Sequence, residues 1–586
     1  MKQRIPSLVP TLLCVLFLPL CAFFIHPWVE IGVVDDESYI RSAQLLAQTG
    51  HIVYNGWATA CLGWQLYVGA LFIKLFGASL TAPRIGTLIV SLATAGLMQR
   101  LLVRMGLRRW SAAAVTLTFL SSATWFAVTF TFMSDVYGMF ALLGCLYCCV
   151  RALQTANDRH ATWWICIAAL SNGIGGSARQ TAWLGVLVLV PCTLWLLRKN
   201  RSALLAGIPC MLLGIATMLW FLHWYSHQPY VIVEHLLPAV TPGMKLLAIR
   251  LVEFVIATSF ETLLLAMPLL IALAPAVFRQ RRAQIAAGIW LLFAAARLTQ
   301  LAHHHKLFVW EIPYAYNNFF EHGFIYFSSY LGTAPLLITP VMKHLFLLFM
   351  LITQVALIAT CFSKPASRDK IESASNEPPV GRRLSGYELV VLLGPCVLAY
   401  CLLLIPRYVA IAMNLDRYIL VPNFVLLFAV VWIYEQRLAY RLPRTAWVTI
   451  LLFAVFYVAG VRDAFTLFRA QAQILQQTQN AGVPRTAIDG GIQYNTWTQI
   501  TTVGYLNEQR MQNPSNLYKP MPDVGDNDPC QTEHMELTPV VRAQYVVSFD
   551  PNACRGLAPQ FAPVHFETIF APHQRTLYIV KGPAAR

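Results

Sequence analysis

The chain has 586 residues, of which 57% are hydrophobic and 12% are charged, and its mean hydropathy is +0.56. Soluble proteins carry about twice this charged fraction, so the composition excludes a large soluble fold. The net charge of +16 would suit nucleic-acid binding, but the basic residues fall mainly in short loops between apolar runs, which is typical of membrane topology. We therefore expect an all-α polytopic membrane protein with no nucleic-acid partner.

Apolar runs long enough to cross a hydrocarbon core of about 30 Å recur between residues 8 and 461. Lys2 and Arg4 precede the first run, and no small-x-small cleavage site follows it, so we expect an uncleaved first span with a cytoplasmic N-terminus. When the runs alternate across the membrane, the strong Lys/Arg clusters fall on the cytoplasmic side. The pattern predicts about 13 spans, at 8–25, 82–102, 111–130, 136–150, 161–175, 181–197, 204–224, 246–278, 286–302, 336–361, 387–405, 419–434 and 447–461.

Three consecutive carboxylates, Asp35, Asp36 and Glu37, follow the first span on the predicted outer side. Residues 38–49 then predict a short amphipathic helix in the plane of the membrane surface, closed by Gly50, and residues 63–76 predict a second interfacial or re-entrant helix. The acids could simply cap the first of these helices and interact with its dipole. Three acids exceed what a cap needs, so we expect them to carry function.

Other polar residues lie at the outer ends of predicted spans. Asp135 could cap the span that begins beside it or contribute to a site. Arg179 and Arg417 lie outside against the usual bias of basic residues, which either phosphate binding or contact with lipid headgroups would explain. Lys306 belongs to a long outer loop rich in histidine and aromatic residues, residues 303–333, and could contact substrate.

The composition changes after residue 461, where polar residues become common. Strands are predicted at 486–489 and 543–548, with a hairpin formed by 565–570 and 575–580. We therefore divide the chain into a membrane domain, residues 1–461, and a small extracytoplasmic α/β domain, residues 462–586. Cys530 and Cys554, the two cysteines of this tail, could form a disulfide there or stay as free thiols.

The sequence Asp36-Glu37-Ser38-Tyr39, with its helix and Gly50, resembles the Asp-Glu-x-Tyr motif in the first outer loop of the C-type (GT-C) glycosyltransferases. The branch it resembles contains protein O-mannosyltransferases and the lipid A aminoarabinose transferase. Residues 65–79 are similar to the segment that follows in that branch, Ser134-Asp135 match its second-loop acid, and residues 415–422 resemble its late Arg-Tyr stretch.

The resemblance covers the whole membrane part, and the outer domain fits the layout of the aminoarabinose transferase. It implies a GT-C-like fold. It also implies transfer of a monosaccharide from an undecaprenyl or dolichyl phosphate carrier to a hydroxyl or phosphate of a lipid, glycan or protein, at the outer face of a bacterial inner or other plasma membrane. One departure is that residues 55–64 lack the prolines expected there, so acceptor details do not carry over.

Such a transfer needs a carboxylate to accept the proton of the attacking hydroxyl and positive charge to hold the leaving phosphate. The motif makes Asp36 the expected base, with Asp35 as its rival because the register is uncertain by one residue. Glu37 and Asp135 would orient reacting groups, or share a divalent cation with Asp36. The residues expected to bind the lipid phosphate or the sugar are Arg179, Arg417, Tyr418, Tyr39 and Lys306.

Three rival functions make different demands. A lipid-linked polysaccharide ligase or polymerase would use an oligosaccharide diphosphate donor. A transporter or flippase would have charges at mid-membrane and inverted repeats, neither of which is clear in the sequence. A non-catalytic assembly subunit would tolerate loss of all three consecutive acids.

Overall fold

The structure is a computed structural model. It describes residues 5–57, 60–232, 243–277, 280–303, 319, 322–325, 330–334, 336–366, 382–411, 416–511, 513–520, 528–532, 534–570 and 575–584. The predicted contact residue Lys306 lies outside these ranges.

Most of the described chain is helical. The α-helices are α1 Ile5–Ile25, α2 Asp36–Thr49, α3 Gly63–Phe76, α4 Thr81–Arg104, α5 Arg109–Leu120, α6 Ala123–Thr129, α7 Ser134–Gln154, α8 Asp158–Gly175, α9 Val190–Leu196, α10 Arg201–Ser226, α11 Met244–Val277, α12 Arg281–His303, α13 Pro340–Phe362, α14 Gly386–Ile411, α15 Leu420–Trp432, α16 Thr445–Asn480 and α17 Ile492–Thr502. Short 3₁₀ turns occupy Gln180–Trp183, Asp416–Ile419, Arg485–Ala487 and Met535–Leu537, and π-helical turns occupy Gly185–Leu189 and Ile433–Arg437.

Nine of the described helices are long and apolar enough to cross a membrane, or ten if α5 and α6, which meet at 74°, form one broken span. Helices such as α1 and α10 expose large apolar side chains, as lipid-facing helices do. The prediction of a helical multi-pass membrane protein is therefore confirmed. The count of about 13 stays a prediction, because the described helices at 161–175, 181–197 and 286–302 do not meet the same length and hydropathy criteria.

The two short helices after the first span agree closely with the sequence pattern. α2 ends at Gly50, whose φ of +76° is left-handed and whose N–H donates to the carbonyl of Leu46. α3 has the predicted bounds and packs against α2 across Gly69. A Cβ atom on Gly69 would come within 3.0 Å of the Ala43 Cβ of α2 and within 2.5 Å of the Phe132 ring, so glycine permits this close packing.

The C-terminal part contains a four-stranded sheet, as predicted. Its spatial order is β1-β2-β4-β3, with β1 parallel to β2 and the other neighbours antiparallel; the strands are β1 Ile488–Asp489, β2 Tyr545–Ser548, β3 Val564–Phe566 and β4 Arg575–Lys581. Cys530 and Cys554 are joined in a disulfide, with their Cα atoms 4.5 Å apart.

The membrane part and the C-terminal domain share one helix. α16 has 36 residues and so a length of about 54 Å, well beyond a hydrocarbon thickness of about 30 Å. The predicted domain boundary after residue 461 falls within it, and Phe468 and Ile474 beyond that point are buried. One continuous apolar core includes side chains of α1, α16 and the sheet, so the two parts are packed together.

Candidate active site

The three consecutive acids begin α2 at the end of the helix bundle that carries the C-terminal domain. A tight turn precedes the helix: the Asp36 N–H donates to the carbonyl of Val33 at 3.3 Å, and the Val33 N–H donates to Asp36 Oδ1 at 2.9 Å. Asp35 occupies the cap position, but its side chain forms no capping hydrogen bond with the described part of the helix. Capping therefore does not account for the Asp35 carboxylate.

Asp36 is fully buried and forms a bidentate ion pair with Arg84 of α4. Arg84 Nε donates to Oδ2 at 2.7 Å and Nη2 donates to Oδ1 at 3.0 Å. The backbone N–H groups of Val33 and Phe132 also donate to this carboxylate, and Arg84 donates to the carbonyls of Val29 and Ile31 at 2.6 Å each. Both charges are thus paired and hydrogen-bonded inside the protein, as a buried ion pair requires.

Asp35 is turned towards a different arginine. Its Oδ2 lies 3.2 Å from Nη2 of Arg417, and its side chain keeps 24% of its surface exposed. The Nε and Nη1 groups of Arg417 are buried and form no hydrogen bond with the described residues. Tyr39 of α2 is buried nearby, and burial, followed by the Asp35 charge, raises the pKa of its hydroxyl above the usual range, so it stays a hydrogen-bond donor.

Three guanidinium groups surround the ring of Tyr418, which we call the arginine cluster. The guanidinium carbons of Arg179, Arg407 and Arg417 lie 5.0, 5.1 and 5.7 Å from the ring centroid. These distances suit cation–π attraction, which helps to hold like charges close together. Arg179 comes from the turn after α8, Arg407 from α14, and Arg417 from the 3₁₀ turn before α15.

Asp135, in the first turn of α7, provides the second carboxylate beside the cluster. Its Oδ1 lies 3.0 Å from Nη1 of Arg179, although the angles are not those of a hydrogen bond, so the contact is an ion pair. Arg179 also donates to Ser134 at 3.2 Å, and its aliphatic part lies where a Cβ on Gly138 would be, within 2.9 Å. Gly138 therefore lets the arginine lie against the helix.

A small pocket opens beside these groups. Its walls combine charged or polar side chains with aliphatic ones. The charged or polar side chains include Asp135, Arg179, Tyr400 and Arg417, and the apolar ones include Met139, Leu142, Leu420 and Val421. A ligand with an anionic head and an apolar tail has the matching polarity.

Glu37 lies on the other side of the turn, away from water. Its side chain is 1% exposed, its Oε2 forms no hydrogen bond with the described residues, and this oxygen lies 2.7 Å from where a Cβ on Gly32 would be. Burial, followed by the charges of Asp36 and Asp35, raises the pKa of Glu37 well above its usual value of 4.5. Glu37 therefore favours its protonated form.

The structure brings together five of the predicted residues, Asp35, Asp135, Arg179, Arg417 and Tyr418, with Tyr39 beside them. Asp36 and Glu37 are buried behind the turn. Among the described residues no group of three or more His, Cys, Asp or Glu side chains is placed to hold a metal ion. The acids proposed as metal ligands do not form a shared set, because Asp36 binds Arg84 and Asp135 pairs with Arg179.

Sequence reasoning did not single out Arg84 or Arg407. Arg84 lies near the start of an apolar run, where a charged side chain needs a partner. This position was the signal in the sequence that could have identified Arg84 as a paired residue. Arg407 likewise lies just past the predicted end of a span. Neither position indicates which acid or ring it meets, because the partners come from distant parts of the chain.

The chain is similar to three solved structures. ArnT from Cupriavidus metallidurans in the apo state is 14% identical with a TM-score of 0.33, over 79% of this chain and 80% of that one. ArnT from the same organism bound to undecaprenyl phosphate is 13% identical with a TM-score of 0.32, over 98% of each chain. The arabinosyltransferase EmbB from Mycobacterium smegmatis is 14% identical with a TM-score of 0.28, over 75% of this chain and 42% of that one.

These names agree with the family that the motifs resemble. Because the TM-scores and identities are this low, the superpositions carry no argument about this chain. No protein-family model matches the chain, and no curated protein does.

The Asp36–Arg84 pair generates a stability prediction. Asp36→Asn should lower the free energy of unfolding by about 3–5 kcal/mol, because Arg84 would stay buried without a counter-charge. Glu253→Gln is the control: its partner Arg250 lies one turn away on α11 and both side chains are at least 30% exposed, so its cost should stay within about 1 kcal/mol. Denaturant unfolding of the purified protein measures both. Equal small losses would mean that the pair does not hold the turn.

Glu37 generates a pH prediction. The folded protein binds the Glu37 proton more tightly than the unfolded chain does. The free energy of unfolding therefore falls as the pH rises from 4.5, the usual pKa, to the raised pKa of the folded state. Glu37→Gln should be at least as stable as the parent near neutral pH, and its advantage should shrink as the pH falls towards 4.5. Thermal unfolding midpoints of both proteins over a pH series measure this. A Gln variant that is less stable at every pH would contradict it.

Proposed function

We propose that the chain is an integral membrane glycosyltransferase that transfers a monosaccharide from a polyprenyl phosphate carrier to an acceptor at the outer face of a bacterial inner membrane. In this arrangement the N-terminus is cytoplasmic and the C-terminal domain lies outside. The observation that carries the proposal is the arginine cluster, in which Arg179 and Arg417 pair with Asp135 and Asp35 and line a pocket together with aliphatic side chains.

The cluster suits the phosphate of the donor. Arg179 pairs with Asp135 and Arg417 pairs with Asp35, and Arg407 brings a third guanidinium group to the same tyrosine ring. Arginine binds phosphate with several charge-assisted hydrogen bonds, and two N–H groups of Arg417 form none with the described residues. The aliphatic side chains that line the pocket would contact the first isoprene units of the carrier.

The chemistry follows from these groups. An acceptor oxygen, here a hydroxyl, attacks the anomeric carbon, the bond from that carbon to the phosphate oxygen breaks, and the electron pair leaves with the lipid phosphate. The arginine cluster stabilises the charge that develops on this phosphate. A carboxylate takes the hydroxyl proton as the new glycosidic bond forms.

Asp35 and Asp36 meet the requirements of a base differently. Asp35 is partly exposed and lies beside Arg417, so an acceptor bound next to the arginine cluster could reach it. Asp36, which the motif favours, accepts four hydrogen bonds and has no exposed surface. It could act only after exchanging its bonds to Arg84. We therefore propose Asp35 as the base and Asp36 as the anchor of the turn, with Asp36 as the alternative base.

The function is tested by mass spectrometry of envelope glycolipids and glycoproteins from cells with and without the protein, followed by transfer assays on purified protein. Asp35→Asn should lower the rate per folded molecule by about 100-fold or more, because the proton acceptor is lost. Asp158→Asn, an exposed acid at the start of α8, is the control and should retain the parent rate.

Other outcomes separate the alternatives. If Asp35→Asn keeps the parent rate while folded Asp36→Asn does not, Asp36 is the base. If both keep it, the catalytic role of the acids is wrong. Use of an oligosaccharide diphosphate donor would indicate a ligase or polymerase, and movement of a labelled solute into vesicles without glycosidic bond formation would indicate a transporter.

The proposed phosphate contact gives a second test. Arg417→Gln should lower kcat/KM for the donor by about 10- to 100-fold, because charged hydrogen bonds to the phosphate are lost. It should also weaken retention of undecaprenyl phosphate in native mass spectra. Arg437→Gln, an exposed arginine at the far end of the same helical segment, is the matched control. Equal lipid retention by the two variants would remove Arg417 from the phosphate site.

A further inference from the structure

The segment between α1 and α2 has an unusual backbone. Two of its residues that are not glycine adopt left-handed conformations, His26 with φ of +51° and Val34 with φ of +63°. This conformation is rare for a β-branched residue such as valine and persists only when the surroundings hold it. Val34 directly precedes Asp35, so the local conformation helps to decide where that carboxylate points.

Side chains from the C-terminal part bind the carbonyl oxygens of both left-handed residues. Arg469, in the second half of α16, donates from Nη1 to His26 at 2.6 Å. Gln493, in the first turn of α17, donates from Nε2 to Val34 at 3.1 Å. The partners are 443 and 459 residues apart in sequence, so local sequence does not supply these contacts.

The contact at Gln493 is closely packed. Gln493 is 3% exposed, and its Cβ lies 3.0 Å from where a Cβ on Gly32 would be. The Oε2 atom of Glu37 lies 2.7 Å from the same Cβ position on Gly32. Val34 is itself buried, so water has little room to replace the Gln493 amide on its carbonyl.

The C-terminal domain also reaches α2 through a second residue. The Leu506 N–H donates to the carbonyl of Asn55 at 2.9 Å. Asn55 in turn donates to the Ser38 carbonyl at 2.8 Å and accepts from the Ser38 hydroxyl at 2.6 Å. The first turn of α2 is thus connected to the C-terminal domain on two sides.

We infer that the C-terminal domain positions the acid-bearing turn, and that Gln493 is a positioning residue that orients Asp35 through the carbonyl of Val34. This role rests on the proposed function as far as catalysis is concerned; the conformational part does not. Gln493 acts through the backbone of the turn and touches no reacting atom.

The test is Gln493→Met in the full-length purified protein, because methionine keeps most of the volume and loses the amide. Gln499→Met is the matched control: Gln499 is on the same helix, is 2% exposed, and its side-chain bonds go to Tyr505 and Val540 of the C-terminal domain itself. Amide hydrogen exchange of residues 30–37 should be about tenfold faster in Gln493→Met and unchanged in Gln499→Met.

In transfer assays Gln493→Met should lower kcat by about tenfold, with the donor KM within about twofold of the parent, because the arginine cluster is intact. Gln499→Met should change neither constant. If Gln493→Met does not fold, Gln493→Asn carries the same expectation, since its amide is one methylene too short to reach Val34.

Equal exchange of the 30–37 peptide in the Gln493 and Gln499 variants would overturn the inference whatever the activity. Faster exchange with an unchanged kcat would overturn the link to catalysis. If the parent protein transfers no sugar but the exchange difference is present, the proposed function fails while the conformational role stands.

Discussion

The arrangement of the site depends on the ion pair between Asp36 and Arg84. It has no exposed surface, and Arg84 also binds two backbone carbonyls of the segment that leads into α2. A buried pair of this kind contributes little net stability compared with apolar packing, but removing one partner is costly because it strands the other charge. Its effect is therefore to specify one conformation: α4 holds the turn, and the turn places the neighbouring acid.

Adjacent acids consequently have different roles. The turn buries Asp36 against α4 and leaves Asp35 facing Arg417, while the following residue, Glu37, goes into a pocket against Gly32 where its pKa is raised. Asp36 and Asp35 are each paired with an arginine, and their charges together with burial favour the protonated form of Glu37. The groups proposed to meet a phosphate ligand are the arginines of the cluster, beside Asp35 and Asp135.

Much of this could be predicted from the sequence where the signal is local. Apolar runs indicated the membrane helices, Gly50 indicated the end of α2, and alternating patterns indicated the four strands. The span count was harder because helices such as α8 and α12 mix polar and apolar residues. The division of roles between Asp35 and Asp36 could not be predicted, because it depends on the left-handed backbone of Val34 and on partners 48 and 382 residues away.

The same reasoning explains why the C-terminal sheet and the helical bundle are joined by one continuous helix. A turn attached only to α4 could still rotate about that attachment. The left-handed conformation of Val34 is unfavourable, so leaving it would lower the free energy of the backbone. α16 runs without a break from the bundle into the C-terminal part and carries Arg469, and α17 carries Gln493; both side chains donate hydrogen bonds to the segment. α4 and α16 contribute side chains to the same apolar core, so movement of the turn would require its contacts with both helices to break. The Asp35 carboxylate therefore keeps its orientation towards Arg417.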